Sequence, residues 1–174
     1  PDIMATCQRG MVDYAFLGGA QIDAHGNLNS TIIGEDFRHP KVRLPGSGGA
    51  NDLGSLCWET IIMMTQDTRR FVEKIDFITT PGYLKGGNHR EKQGLPQGTG
   101  PYKVITNLCV MGFDNVERRM QVESLHPGVS KEIVESNTDF ELLWSETLGS
   151  TEPPTDEELR ILRNNVDPYG YVIG

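Results

Sequence analysis

Three glycines within four positions, Gly46, Gly48 and Gly49, constrain this chain more than any other feature. Glycine reaches backbone conformations closed to other residues and loses more entropy on folding. A cluster of it marks a place where the backbone turns tightly or lets something come close. Pro45 precedes the cluster and Ala50, Asn51, Asp52 and Leu53 follow it, so the spacing predicts a turn that opens a short helix reaching Leu56. Amide N–H groups converging at a helix start carry partial positive charge, which suits an anion or an oxyanion that develops during a reaction. The plainer reading is a tight turn that binds nothing. No Gly-Lys-Ser or Gly-Lys-Thr follows, which argues against a nucleoside-triphosphate loop, and Asn51 and Asp52 stand where a dinucleotide fingerprint needs its third glycine.

Around this turn the chain reads as a mixed α/β domain. Apolar or β-branched runs at 12–17, 29–33, 60–64 and 75–79 predict strands. The first ends at Gly18-Gly19, and Ala24, His25, Gly26 and Asn27 form a turn. Residues 34–45 predict a loop. Residues 82–101 hold six glycines and Pro96 with no core pattern. A loop of that length is a lid or binding-loop candidate, with Lys85, His89, Arg90 and Lys92 as its cations; a solvated surface loop is the alternative. Segments 102–106, 109–113 and 120–125 predict three antiparallel neighbours. Ser130 caps a helix to Ser136, and Thr155 with Glu158 forms a capping box for a helix with Leu159, Ile161 and Leu162 inward, ending before Asp167-Pro168. Residues 149–154 predict a Pro-containing linker.

Charge and composition remove several function classes. A length of 174 residues fits one domain, and 37% hydrophobic content supports a core. The net charge of −8 speaks against a nucleic-acid surface, and any polyanionic ligand needs a local basic patch or a partner chain. No apolar run has membrane-spanning length and no signal peptide is evident, which predicts a cytoplasmic protein. Cys7, Cys57 and Cys109 form no C-x-x-C pair, and His25, His39, His89 and His126 fall at no metal-ligand spacing, so no metal site is expected. Ser30, Ser47 and Ser55 have no identifiable His partner. Gln21, Asn27 and Asn29 gather carboxamides that either bond a substrate carbonyl or carboxylate or cap their own backbone. Arg69 and Arg70 suit a phosphate, but a charged pair at an element boundary is usually solvated or paired, here with Asp67 and Glu73, and is assigned to structure.

Taken together, the residues resemble a known family. Gly18-Gly19-Ala20-Gln21-Ile22-Asp23, Gly26-Asn27, Asn29-Ser30-Thr31, Pro40-Lys41-Val42-Arg43 and Gly46-Ser47-Gly48-Gly49-Ala50-Asn51 are similar to the β subunit of glutaconate CoA-transferase, a family I coenzyme A transferase. Ile61-Ile62-Met63-Met64, Arg69-Arg70-Phe71, Thr80-Pro81-Gly82 and Gly94-Leu95-Pro96 extend the likeness along the chain. The resemblance implies an open mixed sheet with flanking helices, a hetero-oligomer with an α subunit, and coenzyme A entering as acyl-CoA substrate with no permanently bound cofactor. It implies that a glutamate carboxylate attacks the thioester and passes through a glutamyl-CoA intermediate. It places Gly46, Ser47, Gly48, Gly49, Ala50 and Asn51 at the acyl-CoA, with Gln21, Asn27, Asn29 and Arg90 as substrate-binding candidates. The family's glutamate lies upstream of the matched part, so residues 1–174 are expected to form a single β-subunit-like domain without that segment; Glu35, Glu59 and Glu73 do not share its context. Related CoA-ester hydrolases, including ring-cleaving ones, and a non-catalytic scaffold are the alternatives.

Overall fold

The computed structural model describes residues 2–172. Helix α1 (Asp2–Gln8) leads to β1 (Tyr14–Leu17), where Ala15 and Leu17 turn inward and Tyr14 and Phe16 outward, the period-two signature of a strand covered on one face. Two hairpins follow: β2 (Gln21–Ile22) pairs with β3 (Leu28–Asn29), and β4 (Ile32–Ile33) pairs with β5 (Val42–Arg43), both antiparallel. The predicted strand at 29–33 is therefore split. Asn29 Oδ1 accepts the amides of Thr31 at 3.0 Å and Ile32 at 3.4 Å, an Asx turn that breaks the strand in its middle.

Helix α2 (Ala50–Leu56) carries the predicted turn at its start, and two residues later β6 (Glu59–Met63) begins. So short a link forces α2 to run opposite to β6. Because β6 is parallel to β1, the first turn of α2 lies at the carboxyl ends of both strands, the end where open α/β sheets bind ligands. Helix α3 (His89–Lys92) sits in the long loop, and β7 (Gly100–Ile105) joins β6 in parallel. Strands β8 (Cys109–Phe113) and β9 (Met120–Leu125) continue antiparallel, as the sequence predicts. After α4 (Lys131–Ser136), β10 (Leu143–Ser150) pairs parallel with β9, and α5 (Asp156–Ile161) follows.

The result is an open, mixed six-stranded sheet in the order β1-β6-β7-β8-β9-β10. Its inner face packs Leu17, Ile62, Val104, Met111, Met120 and Val122 against Ile22, Leu28 and Phe71 of the crossing hairpin segments. A smaller cluster beneath α1 and α2 holds Cys7, Ala15 and Cys57. The outer face is bare over β1 and β6: Tyr14, Phe16 and Met63 are 52%, 65% and 54% exposed. Register rows run Phe16, Ile61, Lys103 and then Met63, Ile105, Val110 across it.

Four expectations need correction. Residues 75–79 form no strand; Thr79 and Thr80 both donate to Leu28 O and make one isolated bridge. Strand β10 occupies part of the predicted linker. Helix α1 lies where the sequence reading places no element. The capping box of α5 is present, but Ile161 and Leu162 are half-exposed instead of inward.

Candidate functional site

The glycine turn has the backbone that its composition demands. Gly46 and Gly48 have φ of +94° and +51°, the left-handed region that L side chains avoid. An added Cβ at either would meet nothing within 4 Å, whereas one at Gly49 would collide with Met4 of α1. Ser30 clasps the turn from below: its carbonyl accepts the Gly46 amide at 2.9 Å and its hydroxyl donates to Gly46 O at 2.9 Å. Asn51 Nδ2 donates to Thr79 O at 3.0 Å, fixing the first turn of α2. Ala50 N closes the turn on Ser47 O at 2.8 Å. Among the described residues, the amides of Gly48 and Gly49 have no acceptor within the chain, and Gly48 is exposed. They are free to receive an anion.

Two grooves flank this turn. One, about 350 Å³, is uncharged and lined by Thr31, Phe37, Gly46, Ser47, Asn51 and Thr79 among others. The larger, about 620 Å³, has Gly19, Ala20 and Gln21 as its floor, just beyond the carboxyl end of β1. Ile33, Lys41, Val42, Leu44 and Pro45, in and beside the β4–β5 hairpin, form one set of its lining residues and Arg69 and Arg70 another. The pairing of Ile33 with Val42 fixes the first set. The second is fixed by Arg70, whose carbonyl accepts the Ile22 amide at 2.7 Å. Arg69 and Arg70 reach Asp67 at 3.6 and 3.4 Å, the pairing the sequence suggests, yet they also border the groove.

The carboxamides predicted to bind substrate are committed elsewhere. Gln21 Nε2 donates to Asp76 Oδ2, and its Oε1 accepts from Asn29 Nδ2 at 2.7 Å and Asp76 N at 3.0 Å. Asn29 Nδ2 also donates to Ile32 O. Asn27 Nδ2 donates to Asp23 Oδ2 and Leu84 O, and its Oδ1 accepts the amides of Gly82 and Leu84. All three side chains are buried; Asn27 and Asn29 use their full bonding capacity inside the chain and Gln21 all but one amide N–H, so they hold the hairpin beside the groove. Burial raises the Asp23 carboxyl pKa, opposed by its bonds from Asn27 and His25.

Arg90 departs furthest from expectation. It is fully buried. Its guanidinium donates to Pro81 O, Gly82 O and Gly54 O at 2.9, 3.0 and 2.7 Å and twice to Thr99 Oγ1. Every donor of the fork has an acceptor, and none of them is a carboxylate. Burial pushes its pKa down, with Tyr83 and Glu91 acting against that. The long loop is thus pinned to α2 through Gly54 and is no swinging lid.

No glutamate stands out as a nucleophile. Glu59 begins β6, at the sheet end opposite the groove, and Glu73 lines a separate cavity with Asp23, His25 and Arg119. Among the described residues no group of three or more His, Cys, Asp or Glu could hold a metal, and no helix is long and apolar enough to cross a membrane. All three cysteines are free and buried. Desolvation first, then the hydrogen bond with Cys7, pushes the Cys57 thiol up to about 11, and burial does the same for Cys109. What sequence reasoning missed is the groove itself. Arg69 and Arg70 are read as a pair in the sequence and Lys41 apart from them, and only the fold shows that the three share a cavity.

Known proteins resemble this chain in sequence and fold. The family model described as Coenzyme A transferase matches residues 2–137. The chain is 46% identical over 156 residues to the B subunit of 3-oxoadipate CoA-transferase from Pseudomonas knackmussii, covering 90% of this chain and 59% of that protein. The crystal structure of glutaconate coenzyme A-transferase from Acidaminococcus fermentans matches with a TM-score of 0.87 at 42% identity, over 92% of this chain and 61% of that one. The cholesterol ring-cleaving hydrolase IpdB subunit of Rhodococcus jostii is 31% identical over 168 residues, 96% of this chain and 63% of that protein. The chain spans less than two thirds of the length of these relatives. With the family model matched from α1 through α4, the chain belongs to the coenzyme A transferase family.

Proposed function

We propose that this chain is part of the B (β) subunit of a cytoplasmic CoA-transferase that works as a hetero-oligomer with an A (α) subunit. It moves CoA from a short acyl-CoA to a carboxylic acid acceptor. The relatives named for 3-oxoadipate and glutaconate support a dicarboxylic acyl group. A glutamate carboxylate attacks the thioester carbon and expels CoA thiolate, leaving a mixed anhydride. The thiolate returns to that glutamate as a glutamyl-CoA thioester and frees the first acid; the acceptor carboxylate then takes the CoA by the reverse sequence. The nucleophile is supplied by residues outside this chain. A carboxylate is a weak nucleophile in water, so the site must desolvate it and stabilise the oxyanion of each tetrahedral intermediate.

One observation carries this reading: the unbonded amides of Gly48 and Gly49 stand at the carboxyl end of the parallel strands, on a turn that Ser30 ties to the cationic groove. Two neighbouring amides without an acceptor are donors of the kind an oxyanion needs. The likeness to the ring-cleaving hydrolase subunit supports a second reading, a CoA-ester or carbon–carbon hydrolase. Trapping separates them. The complete assembly is incubated with acyl-CoA, reduced with borohydride and examined by mass spectrometry, and the transferase reading expects one glutamate converted to its alcohol. An active preparation that yields no such adduct and releases product with water alone sinks the transferase and leaves the hydrolase.

A further inference from the structure

A chain of net charge −8 that handles a polyanion needs a place where its own field is reversed. The groove beside the glycine turn is that place: its lining includes Lys41, Arg69 and Arg70 and no Asp or Glu. Two other charged cavities differ. One is lined by Asp23, Glu73, Asp139 and Glu141 against Arg119, the other by Glu59, Glu91 and Glu123 against Lys103 and Arg118. In the latter, Lys103 is already held by Glu123 at 2.6 Å.

We propose that Lys41, Arg69 and Arg70, which line one groove, grip the phosphates of the coenzyme's nucleotide, its 3′-phosphate included, making this groove the determinant of phosphorylated-nucleotide specificity. The inference rests on the reading of the chain as a CoA-ester enzyme. Ala20, Ile33, Val42, Leu44 and Pro45 give the same groove apolar walls for the pantetheine arm, and Ser30, which lines it, leads to the Gly46 turn where the thioester belongs. Two of the three cations are available, while Arg70 stays paired with Asp67 at 3.4 Å. Lys41 makes no ion pair among the described residues. The Arg69 side chain is 87% exposed, and its 3.6 Å approach to Asp67 is too long and too wet to hold it against a phosphate. Guanidinium forks suit phosphate oxygens, and a lysine in the same groove adds a point charge, so a phosphate there collects charge-assisted bonds from both kinds of cation.

The test uses the complete enzyme, with Lys41→Gln, Arg69→Gln and Arg70→Gln compared on acyl-CoA and its 3′-dephospho analogue. Each substitution is expected to raise KM for acyl-CoA on the order of tenfold with a smaller change in kcat. The KM for the dephospho analogue should move less, so the preference for the phosphorylated substrate shrinks. Lys41 and Arg69 are exposed, so their variants fold even if the Arg70 variant does not. Equal KM increases for both substrates, or none, overturn the proposal while leaving transfer activity intact. If transfer fails but equilibrium binding still prefers CoA to 3′-dephospho-CoA in a Lys41-dependent way, the functional reading falls and the groove assignment stands.

Discussion

The two ends of the sheet are both built on glycine-rich segments, yet they use their polar groups in opposite ways. At the carboxyl end, Gly46 and Gly48 face open space, and the Gly48 and Gly49 amides and Lys41 have no ion or hydrogen-bond partner among the described residues. At the amino end, Arg90 has all its donors accepted, Asn27 all its bonds made, and Gly26 lies against Phe113 and Pro101. Glycine content alone does not mark a site. What distinguishes a site is polar capacity left unfilled at the surface, because unfilled capacity in the interior is costly.

The sharpest way to break this comparison is Arg90→Met. Removing the guanidinium strands the carbonyls of Pro81, Gly82 and Gly54, and we expect a loss of about 3–5 kcal/mol by denaturant titration. A change within about 0.5 kcal/mol, as for a surface site, would show that the loop is not clasped. The matched pair Gly26→Ala and Gly48→Ala comes next. Both glycines have left-handed φ, +71° and +51°, but a Cβ at Gly26 meets Phe113 Cζ at 2.9 Å and Pro101 Cγ at 3.0 Å, while at Gly48 it meets nothing. Gly48→Ala is expected to cost about 1–2 kcal/mol from backbone strain alone, and Gly26→Ala about 1–3 kcal/mol more from overpacking; equal losses would erase the contrast.

A smaller effect concerns Asp114, in the turn after β8. Burial raises its carboxyl pKa, but the amides of Arg119, Glu117 and Val116, at 2.6–2.8 Å, outweigh it and leave the pKa lowered. A depressed folded-state pKa contributes stability that is present above the unfolded carboxylate range and lost as pH falls through the folded value. The stability gap between the chain and Asp114→Asn should therefore be open at neutral pH and close on acidification. A gap independent of pH would assign the turn to shape alone.

Local signals make much of this legible. The apolar run at 12–17, the glycine turn opening α2, the three antiparallel strands and the Thr155 capping box depend on neighbours a few residues apart, and each appears where the sequence puts it. Tertiary partnerships are not legible. Arg90 in a polar, glycine-rich loop looks like a surface cation, and only Gly54 O, 36 positions away, makes burial tolerable. Strand β10 hides because a register shift between Trp144 and Gly149 interrupts its alternation. The groove hides because Lys41 and Arg70, far apart in sequence, line one cavity only in the folded chain.

The uncovered outer face of β1 and β6 has a calorimetric consequence. Tyr14, Phe16 and Met63 are already wetted in the native state, so melting this chain alone hydrates less new apolar area than its length suggests. Its heat-capacity increment on unfolding should fall below the roughly 12–15 cal/mol/K per residue usual for globular proteins, giving a flatter stability curve with temperature.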